Sequence, residues 1–285
     1  MDVTATSGEG NQSSRRRRTL EYSVVIPAHN EAENLPALLH ELHYVLGQFA
    51  RRFEIIVVDD GSTDETPLVL SALQEEIPQL VNLRLTRNYG QSAAFDAGFR
   101  TAQGEVLITL DADGQNPPAE IPKLLPLLSD SDMVCGWRQN RQDLLSRRYA
   151  SKFANTFRRW VLQDGIHDSG CSLKIFRAEV VARLPLFHGM HRFFPALALM
   201  QGFRVSEIKV AHSSRELGRS HYGIWNRMWG TFWDLCMVYW MKSRQRIWRV
   251  EEVPHERSFA LGTRRVDWPE EIDIRHTPSR IRLPH

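Results

Sequence analysis

The chain reads as an α/β protein built on a mainly parallel central sheet flanked by helices, with amphipathic helical sequence toward its C-terminal end. Two observations predict this. Short apolar runs of strand character alternate with stretches of 10–15 residues at helical spacing, the pattern of βαβ units. Three of those runs also end in acidic or polar clusters: Pro27–Glu31, Asp59-Asp60 and Asp111/Asp113. Parallel strands would bring all three clusters to one edge of the sheet, the edge where open α/β sheets hold ligands.

Residues 1–20 are Ser, Gly, Thr and Arg with few apolar side chains and read as a disordered basic tail. Order is expected from Tyr22, where a buried strand runs to Ile26 and stops at Pro27. Asn30 and Glu33 have capping-box spacing ahead of a helix through Leu35, Leu38, Leu39, Leu42, Val45 and Leu46. Phe53–Val58 is the second strand, and Ser62 with Glu65 repeats the capping-box pattern for the next helix. Leu83–Leu85 is a third strand, Gln91–Ala102 a helix ended by Gly104, and Glu105–Leu110 the fourth strand.

The second half is less regular. Met133–Trp137, Cys171–Phe176 and Phe203–Val210 read as strands, and Leu144–Val161 and Met190–Met200 as helices. Residues 213–222 form a Gly- and Arg-bearing loop. Five of the eight tryptophans fall in 224–248, and Trp225, Trp229, Trp233 and Trp240 share one broad helical face. That face fits a core helix or an interfacial one, the latter favoured by Lys242, Arg244 and Arg246 beyond it. The domain reading is therefore a basic tail over 1–20, a main domain over 21–222, a Trp-rich amphipathic helix over 223–248 and a C-terminal tail over 249–285.

Composition bounds the function classes. Hydrophobic residues make up 42% of the 285, enough for a sizeable core, and the net charge of +2 argues against a dedicated nucleic-acid binder. Three widely spaced cysteines give neither metal spacing nor a disulfide framework, which points to a reducing, cytosolic setting. No apolar run is long enough for a signal peptide after Arg15–Arg18 or for a membrane span. The oligomeric state leaves no mark in the sequence.

The acids at the fourth strand's end carry the chemistry. Asp111 and Asp113 offer hard oxygen ligands to Mg²⁺ or Mn²⁺, and such an ion brings phosphate oxygens with it. An isolated Asp-x-Asp also fits a turn; the other two clusters at the same edge are what distinguish it. Arg138, Arg147 and Arg215 arrive from three separate segments and suit phosphate binding.

Ser23-Val24-Val25-Ile26-Pro27-Ala28-His29-Asn30-Glu31, then Val57-Val58-Asp59-Asp60-Gly61-Ser62-Thr63-Asp64, then Asp111-Ala112-Asp113-Gly114-Gln115-Asn116-Pro117-Pro118 resemble the family 2 glycosyltransferases of GT-A, Rossmann-like fold. Asp168–Arg177 and Arg215–Gly223 make the chain similar to the dolichyl-phosphate mannose synthase group within that family, which includes bacterial polyprenyl-phosphate glycosyltransferases. The resemblance covers residues 21–245.

It implies an inverting transfer of a sugar from a UDP- or GDP-sugar to a polyprenyl phosphate, with Mg²⁺ or Mn²⁺, by a peripheral protein on the cytoplasmic face of the cell membrane. It places Pro27, His29, Glu31, Val58 and Asp60 around the nucleotide. Asp111, Ala112 and Asp113 fall at the diphosphate, and Asp111, Asp113 and Gln115 at the metal. Arg138, Arg147, Ser151, Arg215 and His221 match positions that bind the acceptor phosphate, and Asp113, Asp168 and Arg215 are the catalytic candidates. Two positions depart from the pattern: His29 stands where relatives often carry Tyr, and His221 where they carry Lys. Gly114 replaces a usual apolar residue. A family 2 transferase with a soluble glycan acceptor, and a catalytically silent nucleotide-sugar-binding module, are the alternative readings.

Overall fold

The computed structural model describes residues 20–138, 156–185, 187–213 and 224–244. The chain divides into two compact units, Met1–Ile247 and Trp248–His285, and the second lies wholly outside the described residues. Arg147, Ser151, Arg215 and His221 also lie outside them, as does the basic tail before Leu20.

The order is β1 (Leu20–Ala28), α1 (Leu35–Phe49), β2 (Phe53–Asp59), α2 (Thr66–Glu76), β3 (Leu80–Arg84), α3 (Gln91–Thr101), β4 (Gly104–Thr109) and α4 (Ile121–Leu124). Then follow β5 (Met133–Arg138), a helix α5 over 156–162, β6 (Lys174–Arg177), α6 (Ala178–Val181), α7 (Phe194–Met200), β7 (Val205–Val210) and α8 (Ile224–Arg244). Seven strands form one sheet in the order β3-β2-β1-β4-β6-β5-β7. The first four are mutually parallel, as expected from the alternating pattern. β6 is the exception: it runs antiparallel to both β4 and β5.

Alternation along the strands feeds two cores. Val24, Ile26, Ile55 and Val57 point to the face covered by α1 and α2, where Leu35, Leu38, Leu39, Leu42 and Leu46 form the buried stripe of α1. Val25, Ile56 and Val58 point to the other face, covered by α3, α7 and α8. There Phe95 and Phe176 each meet Phe194 edge-on, with centroids 5.7 and 5.6 Å apart. Fully burying side chains of this size contributes about 1.5–3 kcal/mol each.

Three expectations are revised. Pro27 does not stop β1, which continues to Ala28. Alternate β1 residues face alternate neighbours: Ala28 O accepts from Asp60 N beyond β2, and Val25 O from Leu110 N beyond β4. Pro27 faces β4 and lacks a donor, so only that ladder ends there. The two capping boxes are not caps either. The helices start at Leu35 and Thr66, and Asn30 and Ser62 stitch the two strand-end loops together instead. Asn30 N donates to Ser62 Oγ at 2.9 Å, and Asn30 Oδ1 accepts from Thr63 N at 2.8 Å. Finally, Met190–Met200 is not one helix: a turn of 3₁₀ helix, Met190–Arg192, precedes α7.

α8 rests on the domain along a narrow stripe, with Leu235 and Val238 buried. Phe232, Trp233, Met237, Tyr239 and Trp240 are exposed, as are Phe157 and Trp160 on α5. Trp233 and Trp240, 66% and 61% exposed, are therefore not core residues. Among the described residues no helix is long and apolar enough to cross a membrane.

Candidate active site

The C-terminal ends of β1, β2 and β4 converge as expected. His29 Nδ1 donates to the carbonyl of Asp60 at 2.9 Å; the carbonyl can only accept, so that bond places the ring proton on Nδ1. The Asp60 carboxylate is buried and accepts from Tyr89 N at 2.7 Å and Gly90 N at 2.8 Å, which folds the loop into α3 over it. Asp59 beside it holds Ser62 N at 2.8 Å and meets Arg84 at 3.2 Å. Glu31 accepts from Asn34 at 2.6 Å, and its own N–H donates to Thr66 Oγ1 at 3.0 Å. Val58 is fully buried under α3, where it forms part of the floor beneath the strand ends.

The acidic turn follows β4. Asp111 N donates to Ser172 Oγ at 3.2 Å, and the same hydroxyl receives Asn116 Nδ2 at 2.7 Å. Thr109 Oγ1 donates to the Ser172 carbonyl at 2.7 Å. Asp113 Oδ1 accepts from Gln115 N at 3.2 Å, an Asx turn. Gly114 has φ +69°, a left-handed conformation that explains why glycine stands there in place of an apolar residue. Ala112 is buried beneath the turn. The Gln115 carbonyl accepts from Ser213 N at 2.9 Å, which ties the chain after β7 to the acidic turn.

Asp111 is the perturbed acid. Burial, reinforced by the negative charge of Asp113, pushes its carboxyl up to about 6. Lys174, Ser172 and Arg138 oppose that shift and do not cancel it. Two acids held together with one driven toward protonation suit a divalent cation. Among the described residues no third His, Cys, Asp or Glu joins them to form a metal-binding group. Mg²⁺ is typically held in this way, by one or two carboxylates plus substrate phosphates.

Arg138 and Asp168, expected at the acceptor phosphate and as a catalytic acid, are brought onto each other. Nε to Oδ2 is 2.7 Å and Nη2 to Oδ1 2.8 Å, with both side chains nearly buried. Asp168 N is in turn held by Glu207 at 3.0 Å, and Trp137 stacks on His167 with centroids 4.3 Å apart. Burial lowers the Arg138 guanidinium and the Asp168 carboxylate more than offsets it, so Arg138 is held above its ordinary value.

Beside Asp111 lies a cleft of about 200 Å³ whose wall includes Gln91, Ser169, Lys174, His191, Arg192 and Phe194. Gln91 Nε2 donates to Asp111 Oδ1 at 2.7 Å. Gln91, Ser172, Lys174 and His191 were missed from sequence. The Gly90-Gln91 step into α3 is the available signal for Gln91, and Ser172 and Lys174 lie within the Asp168–Arg177 segment that carries the resemblance; His191 has none. Cys171 also borders the cleft, and burial pushes its thiol up to about 11, so it is no nucleophile.

A seven-stranded sheet with polar clusters and an Asp-x-Asp turn at one edge is the GT-A arrangement, and the solved structures agree. A mannosyltransferase from Pyrobaculum calidifontis in complex with GDP-mannose and Mn²⁺ superposes with TM-score 0.56 at 22% identity, over 72% of this chain and 59% of that one. A mannosyl-3-phosphoglycerate synthase from Rubrobacter xylanophilus gives 0.60 at 15% identity, over 82% and 79%. Residues 23–184 match the family described as glycosyl transferase family 2, and the chain belongs to that family. It is 41% identical over 202 residues to the undecaprenyl-phosphate 4-deoxy-4-formamido-L-arabinose transferase of Salmonella choleraesuis, a match that takes in 70% of this chain. The chain spans 62% of the length of that relative, and the same holds for the one from Salmonella paratyphi B.

Proposed function

We propose that the protein is an inverting glycosyltransferase that moves a sugar from a nucleoside-diphosphate sugar to a polyprenyl phosphate. One observation carries the reading: the Asp111/Asp113 turn shares its sheet edge with the His29 and Asp60 loops, in a chain 41% identical over 202 residues to an undecaprenyl-phosphate sugar transferase. Pro27, His29, Glu31, Val58 and Asp60 are assigned to the nucleoside. Asp111, Ala112 and Asp113 face the diphosphate.

Asp111, Asp113 and Gln115 are the residues that would hold Mg²⁺ or Mn²⁺; when bound, the ion neutralises charge developing on the leaving diphosphate. The protein's own task is then to align donor and acceptor and exclude water. A phosphate monoester is already an anionic nucleophile near neutral pH and needs no strong base. It needs cations to bring two anions together, and Arg147, Ser151, Arg215 and His221 are assigned to it. The Arg138–Asp168 pair is assigned to framing that half of the site, with Asp168 orienting Arg138.

The exposed aromatics of α5 and α8, with Lys242 and Arg244 at the end of α8, suit a bilayer interface and support a reading in which the enzyme works as a peripheral protein at the cytoplasmic face of the membrane. The test is incubation with labelled UDP- and GDP-sugars, Mn²⁺ or Mg²⁺, and undecaprenyl phosphate in detergent. Label in the lipid extract is the expected result. Label entering only a soluble glycan would replace the acceptor in this reading, and binding without any transfer would make the protein a silent module.

A further inference from the structure

Behind the acidic turn runs a line of polar contacts that the proposed chemistry does not itself use. It begins at Gln91, the first residue of α3, whose amide donates to Asp111 Oδ1 at 2.7 Å. The next residue, Ser92, is almost fully buried. Its hydroxyl meets His191 Nδ1 at 2.9 Å and accepts from Gly189 N at 3.0 Å. The turn over 188–192 therefore clamps the start of α3.

That turn is gripped from its far side by α8. Gly189 has φ +87°, and a Cβ there would lie 2.4 Å from Asp234 Oδ2, so the carboxylate of α8 is seated directly on the glycine backbone. Arg192 donates to Thr231 Oγ1 at 3.0 Å and lies 3.8 Å from Asp234 Oδ2. Each link is a hydrogen bond, an ion pair or a contact at packing distance. The line thus runs from α8 through the 188–192 turn and Ser92–Gln91 to the Asp111 carboxylate.

We infer that Gln91 is a positioning residue for Asp111, and that the Ser92–Gly189–Asp234 brace makes its setting depend on how α8 is seated. The physical basis is simple. An amide donor on one oxygen fixes which lone pairs of Asp111 face the cleft. A helix start clamped on two sides cannot shift that donor without moving the turn that α8 holds. The inference rests on the proposed nucleotide–metal site and extends it to α8, the helix that carries the exposed aromatic face.

The experiment is calorimetric titration of the full chain with UDP and with GDP, each with Mn²⁺, so that no turnover is needed. Gln91→Met, which keeps length and loses the donor, should keep the wild-type unfolding temperature and weaken Mn²⁺–nucleotide binding about tenfold. Asp234→Asn should weaken it less. The Gln91→Met/Asp234→Asn double variant should be no weaker than Gln91→Met alone, because both act through one carboxylate. If Asp234→Asn fails to fold, Thr231→Val supplies the same cycle by loosening Arg192 without stranding a charge. Binding by Gln91→Met within twofold of wild type overturns the positioning role. Strictly multiplicative losses in the cycle overturn the link to α8. If wild type binds neither nucleotide with Mn²⁺, the nucleotide–metal site is wrong and the inference falls with it.

Discussion

Arg138 and Asp168 face each other as a bidentate pair, 2.7 and 2.8 Å apart and almost closed to solvent. An acid locked in a two-pronged bond with a guanidinium is poorly placed to take a proton from a substrate. Removing either partner would strand the other. Asp168→Ala and Arg138→Ala are each expected to destabilise the fold by about 3–5 kcal/mol. Urea denaturation checks this; losses below about 1 kcal/mol would mean that the pair is open in solution.

Among the described residues Asp113 makes one turn hydrogen bond, to Gln115 N, so its loss should hardly disturb the fold. Asp113→Ala is expected to lower sugar transfer by on the order of 10²–10³, the usual effect of deleting one preorganised electrostatic contact, with the unfolding midpoint nearly unchanged. A steady-state assay across Mg²⁺ and Mn²⁺ concentrations measures it. Near-normal turnover at any metal level would remove Asp113 from the site.

The raised Asp111 carboxyl makes a pH prediction. Its folded value of about 6 lies above that of a free carboxylate, so the folded chain keeps a proton that the unfolded chain has released. Stability from the protonated form is complete at acid pH, below the unfolded value, and is lost as pH rises toward 6. Without metal, Asp111→Asn should therefore gain on wild type as pH goes from 4 to 7. Mn²⁺ should close that gap at pH 7 by stabilising wild type alone. Scanning calorimetry in EDTA and in Mn²⁺ reads both, and parallel wild-type and variant curves would contradict the buried-acid account.

Trp233 and Trp240 project into solvent, so changing them should leave the core alone. Trp233→Ser with Trp240→Ser is expected to keep stability within about 0.5 kcal/mol per site. It should also reduce cofloatation with anionic vesicles severalfold. Unchanged cofloatation would take α8 out of membrane contact.

Much of this architecture was legible along the chain. β1, β2 and β4 announce themselves as unbroken apolar runs because both faces of each are covered, and each run ends in the polar residues of the site. What the sequence hid was partnership at a distance. Asn30 and Ser62 have the spacing of helix caps, and a local pattern cannot reveal that their partners lie on each other's loop, 32 and 33 residues away. Arg138 and Asp168 were both singled out, yet nothing in their spacing of 30 residues says that they neutralise one another. Gln91 and Ser172 are ordinary helix and turn residues by type. Only the folded sheet sets them against Asp111.

The antiparallel β6 strand has a kinetic meaning. Ser172, just before β6, reaches Asp111 across 61 residues, and β4 itself pairs with β1 across a still longer stretch of chain, Val24 opposite Ile108. Contacts of such separation close late, since the loop entropy must be overcome first. In refolding from denaturant, helical dichroism should recover before Mn²⁺–nucleotide binding returns. The site would thus assemble after the helices and together with the sheet, and a chain with its helices alone would have no grip on phosphate.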